Sequence, residues 1–209
     1  MIQLKTDHVT ILGMQQCTLD LFTLPQCTHE TWAIGHHTYG RAVATRVFEA
    51  HELSYIKRKR FESTYVRHWL RGLYEAANEK PVYTLHEWPY RLGRYHEVYV
   101  PRGRSNSLGK PYIESTIGYM LAAALDTHRR CPIKRISIYG VSFVASEEYG
   151  YQRPNSLYLI GRLEEAGVEV VIPTSARHNL FGSAWPKGVY GLLENLGPPK
   201  PGINYEQSS

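Results

Sequence analysis

Short runs of aliphatic and β-branched residues alternate along this chain with stretches whose apolar positions recur every three or four residues. Val9-Thr10-Ile11-Leu12 is the first such run, and its end at Gly13 predicts a buried strand followed by a tight turn. Residues 31 to 35 and 46 to 49 predict two more short strands, 81 to 85 a fourth, 136 to 141 the clearest of all, and 168 to 173 the last. Helical spacing marks residues 19 to 24, where Leu19, Leu21, Phe22 and Leu24 recur before Pro25. It marks residues 62 to 77 through Tyr65, Val66, Trp69, Leu70, Leu73 and Tyr74. It returns from Tyr112 to Leu125, where Ala122, Ala123 and Ala124 allow close packing, and again from Pro154 to Ala166, opened by proline and closed by Gly167. Residues 86 to 111 show no sustained period and predict a long loop.

A strand, a helix and a strand joined by short connections form a βαβ unit, which requires parallel pairing. The expected fold is therefore α/β and Rossmann-like, a mostly parallel sheet flanked by helices. A chain of 209 residues that is 43% hydrophobic buries one sizeable core, so a single domain is expected over residues 1–196, with a flexible C-terminal tail at 197–209. No stretch approaches the length of a membrane helix, and the first residues lack the order of a secretory signal, which predicts a cytoplasmic protein without membrane contact.

Cys17, Cys27 and Cys131 make neither a disulfide framework nor a zinc pattern. The ten histidines are scattered, and His36 and His37, being adjacent, would face opposite ways on a strand. No metal site is expected. Charge is more informative. Of the net +5, residues 41 to 110 hold 14 Lys and Arg against 7 Asp and Glu. The densest run, Lys57-Arg58-Lys59-Arg60, sits among Tyr55, Phe61, Tyr65 and Trp69, a mixture suited to phosphate contacts and base stacking as well as to a solvated face.

In an open parallel sheet, ligands bind beyond the carboxyl ends of the strands. That rule selects Gly13 and Gln15, then Gly35 and His36, then the residues after 49, then those after 141. The helix start at Ser115 and Thr116 joins them if it faces the same crevice, since amides and dipole there favour an anion. The first turn is neither G-x-G-x-x-G nor a P-loop, which disfavours a nicotinamide cofactor or ordinary kinase chemistry. Glu49 and His51 are the candidates for acid and base work, because alternate positions at a strand end project to one side and a carboxylate raises an imidazole's proton affinity. Residues 146 to 154 concentrate hydrogen-bonding groups, among them Glu148, Tyr149, Gln152 and Arg153. Arg153 is suited to phosphate and Gln152 to a base or sugar edge.

The runs at 9 to 13, 32 to 35, 112 to 125 and 136 to 143 together resemble the bacterial sialyltransferases of the Campylobacter type. They are also similar to Rossmann-like proteins of the MptE pterin pyrophosphokinase kind, and Glu148 to Pro154 resembles a Glu-Tyr-x-Tyr-Gln-Arg-Pro segment of a group of phage proteins. The resemblance implies a one-domain, metal-independent glycosyltransferase fold whose donor is a nucleotide sugar, with no further cofactor. It implies contacts to phosphate and donor sugar from Gly13 with its neighbours and from Ser115 and Thr116, and contacts to ribose and base from Ser142 and Phe143. The sialyltransferases' Asn-Gly-Pro-Ser turn is here Met14-Gln15-Gln16-Cys17, their Asp before Phe is Ser142, and their general-base His has no counterpart, which argues against a sialic-acid donor and leaves His51 as the replacement base.

The expected function is transfer of a sugar from a nucleotide donor, with a hydroxylated base of phage DNA as one candidate acceptor, the basic region at 41 to 110 as its groove and Lys57 to Arg60 as phosphate contacts within it. Capture of a nucleotide without turnover and pyrophosphoryl transfer are the alternatives. The oligomeric state, a homo-oligomer included, stays open.

Overall fold

The computed structural model describes residues 2–14, 30–35, 37–59, 64–102, 113, 115–141 and 147–172. They form one seven-stranded sheet, all parallel, as expected of an α/β Rossmann-like domain. The strands are β1 (His8–Leu12), β2 (Glu30–Ile34), β3 (Arg46–Glu49), β4 (Val82–Thr84), β5 (His96–Val98), β6 (Arg135–Tyr139) and β7 (Glu169–Val171). Five helices are described: α1 (Thr38–Val43), α2 (Leu53–Lys59), α3 (Thr64–Glu79), α4 (Thr116–His128) and α5 (Glu147–Glu165).

The order across the sheet is β5-β4-β3-β2-β1-β6-β7. The chain steps outward from β1 to β5, then returns to the other flank of β1 as β6. Connections leaving β1 and β6 therefore diverge, and the crevice of an open α/β sheet lies between their carboxyl ends.

Strand residues alternate between two cores. Val9, Ile11, Trp32, Phe48, Tyr83 and Ile138 face α4 and α5, whereas Leu12, Ala33, Val47, Val82 and Tyr139 face the side of α1 to α3. On the first side Phe48 lies among Trp32, Tyr83 and Tyr119, with ring centroids 4.9 to 5.3 Å apart. At the opposite, amino edge of the sheet the buried Arg46 guanidinium grips Glu30 at 2.8 and 3.0 Å and donates to the carbonyl of Gln3, tying the chain start to β2 and β3. No helix among the described residues is long and apolar enough to cross a membrane.

Four local features differ from the sequence pattern. Residues 147 to 153 are helical, so α5 begins seven residues before Pro154, which lies inside it. Its end is as expected: Gly167 adopts φ +87°, its amide donates to Glu164 and that of Val168 to Leu163, a Schellman closure. The segment 86 to 111 contains β5, whose short edge strand exposes Glu97 and Val98. β6 stops at Tyr139, and Gly140 turns the chain at φ +65°. The short helices α1 and α2 have no signature in the hydrophobic spacing; α1 is capped by the His37 ring, which accepts from the Gly40 amide at 3.2 Å. The predicted helix at 19 to 24 and the tail at 197–209 lie outside the described residues.

Candidate active site

At the switch point the β1 and β6 turns touch. The Gly13 amide donates to the Tyr139 carbonyl at 2.8 Å. A Cβ on Gly13 would stand 2.0 Å from the Gly140 carbonyl oxygen, so only glycine lets the two backbones meet. The next strand end is built similarly: Gly35 donates to the Phe48 carbonyl at 2.8 Å, and a Cβ there would meet Glu49 Oε2 at 2.6 Å. The buried Arg41 guanidinium donates to the Gly35 carbonyl at 2.6 Å and lies against Gly72 of α3, which has no side chain to obstruct it.

Glu49 is the last residue of β3, and its side chain points to the α3 side, 0% exposed. Its Oε1 accepts from the His51 amide at 3.0 Å and lies 2.6 Å from His51 Nδ1; its Oε2 accepts from the Trp69 indole at 2.7 Å. With Glu49 ionised, its carboxylate only accepts, which assigns the ring proton to Nδ1 and makes Nε2, on the far side of the imidazole, the basic nitrogen. The imidazole is held flat against Tyr55 of α2, at 4.9 Å and 13°, and edge-on to Trp69, at 5.1 Å and 83°. It remains 31% exposed, so one edge meets solvent while the carboxylate that orients it does not. A partly exposed imidazole oriented by a buried acid is chemically able to act as a general base.

Ser115 and Thr116 stand at the start of α4, which begins at Thr116 rather than at Tyr112, where the helical spacing begins. Ser115 is the N-cap, its Oγ accepting from the Gly118 amide at 2.9 Å. Thr116 is 5% exposed, and its Oγ1 has no hydrogen-bond partner among the described residues. The chain leaves β5 at the carboxyl edge of the sheet and re-enters β6 at the amino edge, so this helix start shares an edge with Gly13 and Glu49. The Tyr119 hydroxyl fastens its first turn by donating at 2.6 Å to the carbonyl of Tyr99, just past β5. Burial pushes that phenol well above the usual range, so it stays a neutral donor.

Gln152 and Arg153 lie on α5 rather than in a loop; Gln152 is buried and Arg153 half-buried. Lys57 and Arg58 are exposed on α2, Lys57 over the Tyr90 ring at 5.2 Å and Arg58 over that of Tyr55 at 5.7 Å. Gln15, His36, Arg60, Ser142 and Phe143 lie outside the described residues, as do the side chains of Lys59, Glu148 and Tyr149.

The sequence pattern therefore pairs Glu49 with His51 but passes over their supports. Trp69 reads as one apolar position of an amphipathic helix, although its indole is a hydrogen-bond donor to the buried acid. Tyr55 reads as part of a basic run, although it forms one wall for His51. Among the described residues no group of three or more His, Cys, Asp or Glu side chains is arranged to hold a metal ion. Comparison of the chain with protein-family models, curated proteins and solved structures finds no match, so its chemistry is read from this geometry.

Proposed function

We propose that this protein transfers a sugar from a nucleotide donor to an acceptor hydroxyl, with His51 as general base. The observation that carries the reading is the 2.6 Å contact between the half-exposed His51 ring and the fully buried Glu49, placed at the ligand-binding edge of a parallel sheet. The glycine turns at Gly13 and Gly140 bring the ends of β1 and β6 together at the switch point, and the start of α4 adds an anion-favouring element on the same edge. Two strand spacings of about 4.8 Å separate β1 from β3, roughly 10 Å. A nucleotide sugar laid across the strand ends spans that interval.

In this scheme Nε2 of His51 takes the proton of the acceptor hydroxyl. The oxygen forms a bond to the anomeric carbon as the bond from that carbon to the phosphate oxygen breaks, and the nucleotide leaves with both electrons of that bond. The imidazolium, stabilised by Glu49, then returns its proton to solvent. Catalysis by a positioned base contributes on the order of 10²- to 10⁴-fold. The test is incubation with a panel of nucleotide sugars, followed by release of free nucleotide. Release abolished in His51→Ala with donor binding retained supports transfer. Donor binding with no release from the unaltered protein contradicts it and leaves a nucleotide-capturing module.

A further inference from the structure

Helix α2 joins the candidate base to a groove at the sheet edge. Tyr55 stacks on His51, Arg58 covers Tyr55, and Lys57 reaches over the ring of Tyr90, which is stacked in turn on Tyr74 of α3 at 6.3 Å and 12°. Tyr90 lines an open groove of about 490 Å³ together with Trp88, Arg91, His96, Glu97 and Val98. Beyond it, Arg94 covers the exposed Tyr95 at 5.1 Å. The two tyrosines are anchored one helical turn apart on α3, Tyr90 through Tyr74 and Tyr95 through its amide on the Ala77 carbonyl.

Several cations elsewhere on the surface are held by acids. Arg71, Arg130, Lys134, Arg135 and Arg162 each meet a carboxylate within 3.1 Å. Among the described residues, Lys57, Arg58, Arg91 and Arg94 have no carboxylate within ion-pair distance, and Lys57, Arg58 and Arg94 instead lie over aromatic rings. Tyr90 remains 38% exposed, packed against Tyr74 and covered otherwise by the exposed Lys57 side chain, which a stacking base displaces. Pre-set aromatic rings interleaved with cations that lack carboxylate partners are what a chain of bases and phosphates requires, because bases stack on any ring and phosphates need only charge.

We infer that this track binds single-stranded nucleic acid, bases stacking on Tyr90 and Tyr95 and phosphates meeting Lys57, Arg58, Arg91 and Arg94, and that it delivers an acceptor nucleotide toward His51. The delivery rests on the transfer reading above; the binding does not. A duplex fits less well, since its bases are already stacked on each other and unavailable to the tyrosines.

Fluorescence anisotropy of a labelled single strand of about ten nucleotides, against a hairpin duplex and polyglutamate as competitors, tests the inference. The single strand is expected to bind more tightly than the duplex, with a log-log salt slope of roughly −2 to −3 for three or four phosphate contacts. Tyr90→Ala is expected to weaken binding at least roughly fivefold, whereas Tyr90→Phe retains it. Because Tyr90 is a surface residue, circular dichroism of both variants checks that the fold persists. No binding at low salt, binding indifferent to Tyr90→Ala, a preference for duplex, or equal displacement by polyglutamate would each overturn the inference. Strand binding without turnover of any nucleotide sugar sustains this surface and removes the transfer reading; sugar transfer to small acceptors with no strand bound does the reverse.

Discussion

The Trp69 indole donates to Glu49 Oε2 at 2.7 Å, which leaves Oε1 to orient His51. A carboxylate with no solvent exposure depends on such donors, because each hydrogen bond to a buried charge is worth more than one between neutral groups. Trp69→Phe keeps the apolar packing and removes the donor. It is expected to lower stability by about 1.5 to 3 kcal/mol, measured by urea denaturation, and to reduce kcat for transfer more than it raises KM, since the imidazole loses its fixed orientation.

Glu49→Gln tests the same pair from the acid side. An amide offers one acceptor oxygen and adds two hydrogens where three donors already converge, so the His51 ring no longer has a reason to keep its proton on Nδ1. Nucleotide binding should persist while turnover falls by at least about tenfold, a part of the general-base contribution. Binding by calorimetry and turnover by nucleotide release separate the two.

Gly13→Ala should act on the switch point itself. The added methyl meets backbone, the Gly140 carbonyl, rather than a side chain that can rotate away. A loss of roughly 1 to 3 kcal/mol is expected, together with weakened nucleotide binding. By contrast, Gly161→Ala, on α5 with open space around its Cβ, should stabilise the fold by up to about 1 kcal/mol. The pair of thermal denaturation curves checks both signs.

Acid should weaken the fold in two stages. Burial, and then the Arg91 charge, hold the His96 imidazole below its ordinary range; its Nδ1 accepts from the Leu92 amide at 3.2 Å and its Nε2 lies 2.9 Å from the Thr84 hydroxyl. The unfolded chain therefore takes up that proton more readily. The His96 contribution is complete above the unfolded imidazole value of about 6.5 and is lost as pH falls from there through the lower folded value. At Glu30 burial works to raise the carboxyl, but the Arg46 guanidinium and hydrogen bonds from Lys5 and Thr45 outweigh it, so the group ends below the ordinary carboxylate range. Its stabilisation is complete above the unfolded value and disappears as pH falls through the folded one. Urea midpoints should thus decline between pH 7 and pH 5.5 and again below about pH 4.5, with the first decline reduced in His96→Gln.

The sheet was legible where strands are buried on both faces. β1 and β6 are dense in β-branched and aliphatic residues because both sides meet core, and their continuous apolar runs stand out. β5 was not legible, because an edge strand of three residues that exposes Glu97 and Val98 leaves no alternation to read. The start of α5 was hidden by Pro154: proline suits a first turn, yet here it sits a full two turns inside the helix. Glu49 and His51 emerged from their two-residue spacing at a strand end, which is a local property. Trp69 and Gly140 did not, since the first reaches Glu49 from a helix twenty residues away in sequence, and the second earns its role only beside Gly13 of a different strand.

In the proposed function, one edge of this sheet joins a nucleotide site to a Glu49-backed His51 base. Single-turnover release of nucleotide from a bound nucleotide sugar, measured for the unaltered protein and for His51→Ala at equal donor occupancy, tests it most directly. A fall of about 10²-fold or more on removing the imidazole is predicted. Equal rates in the two proteins would contradict it.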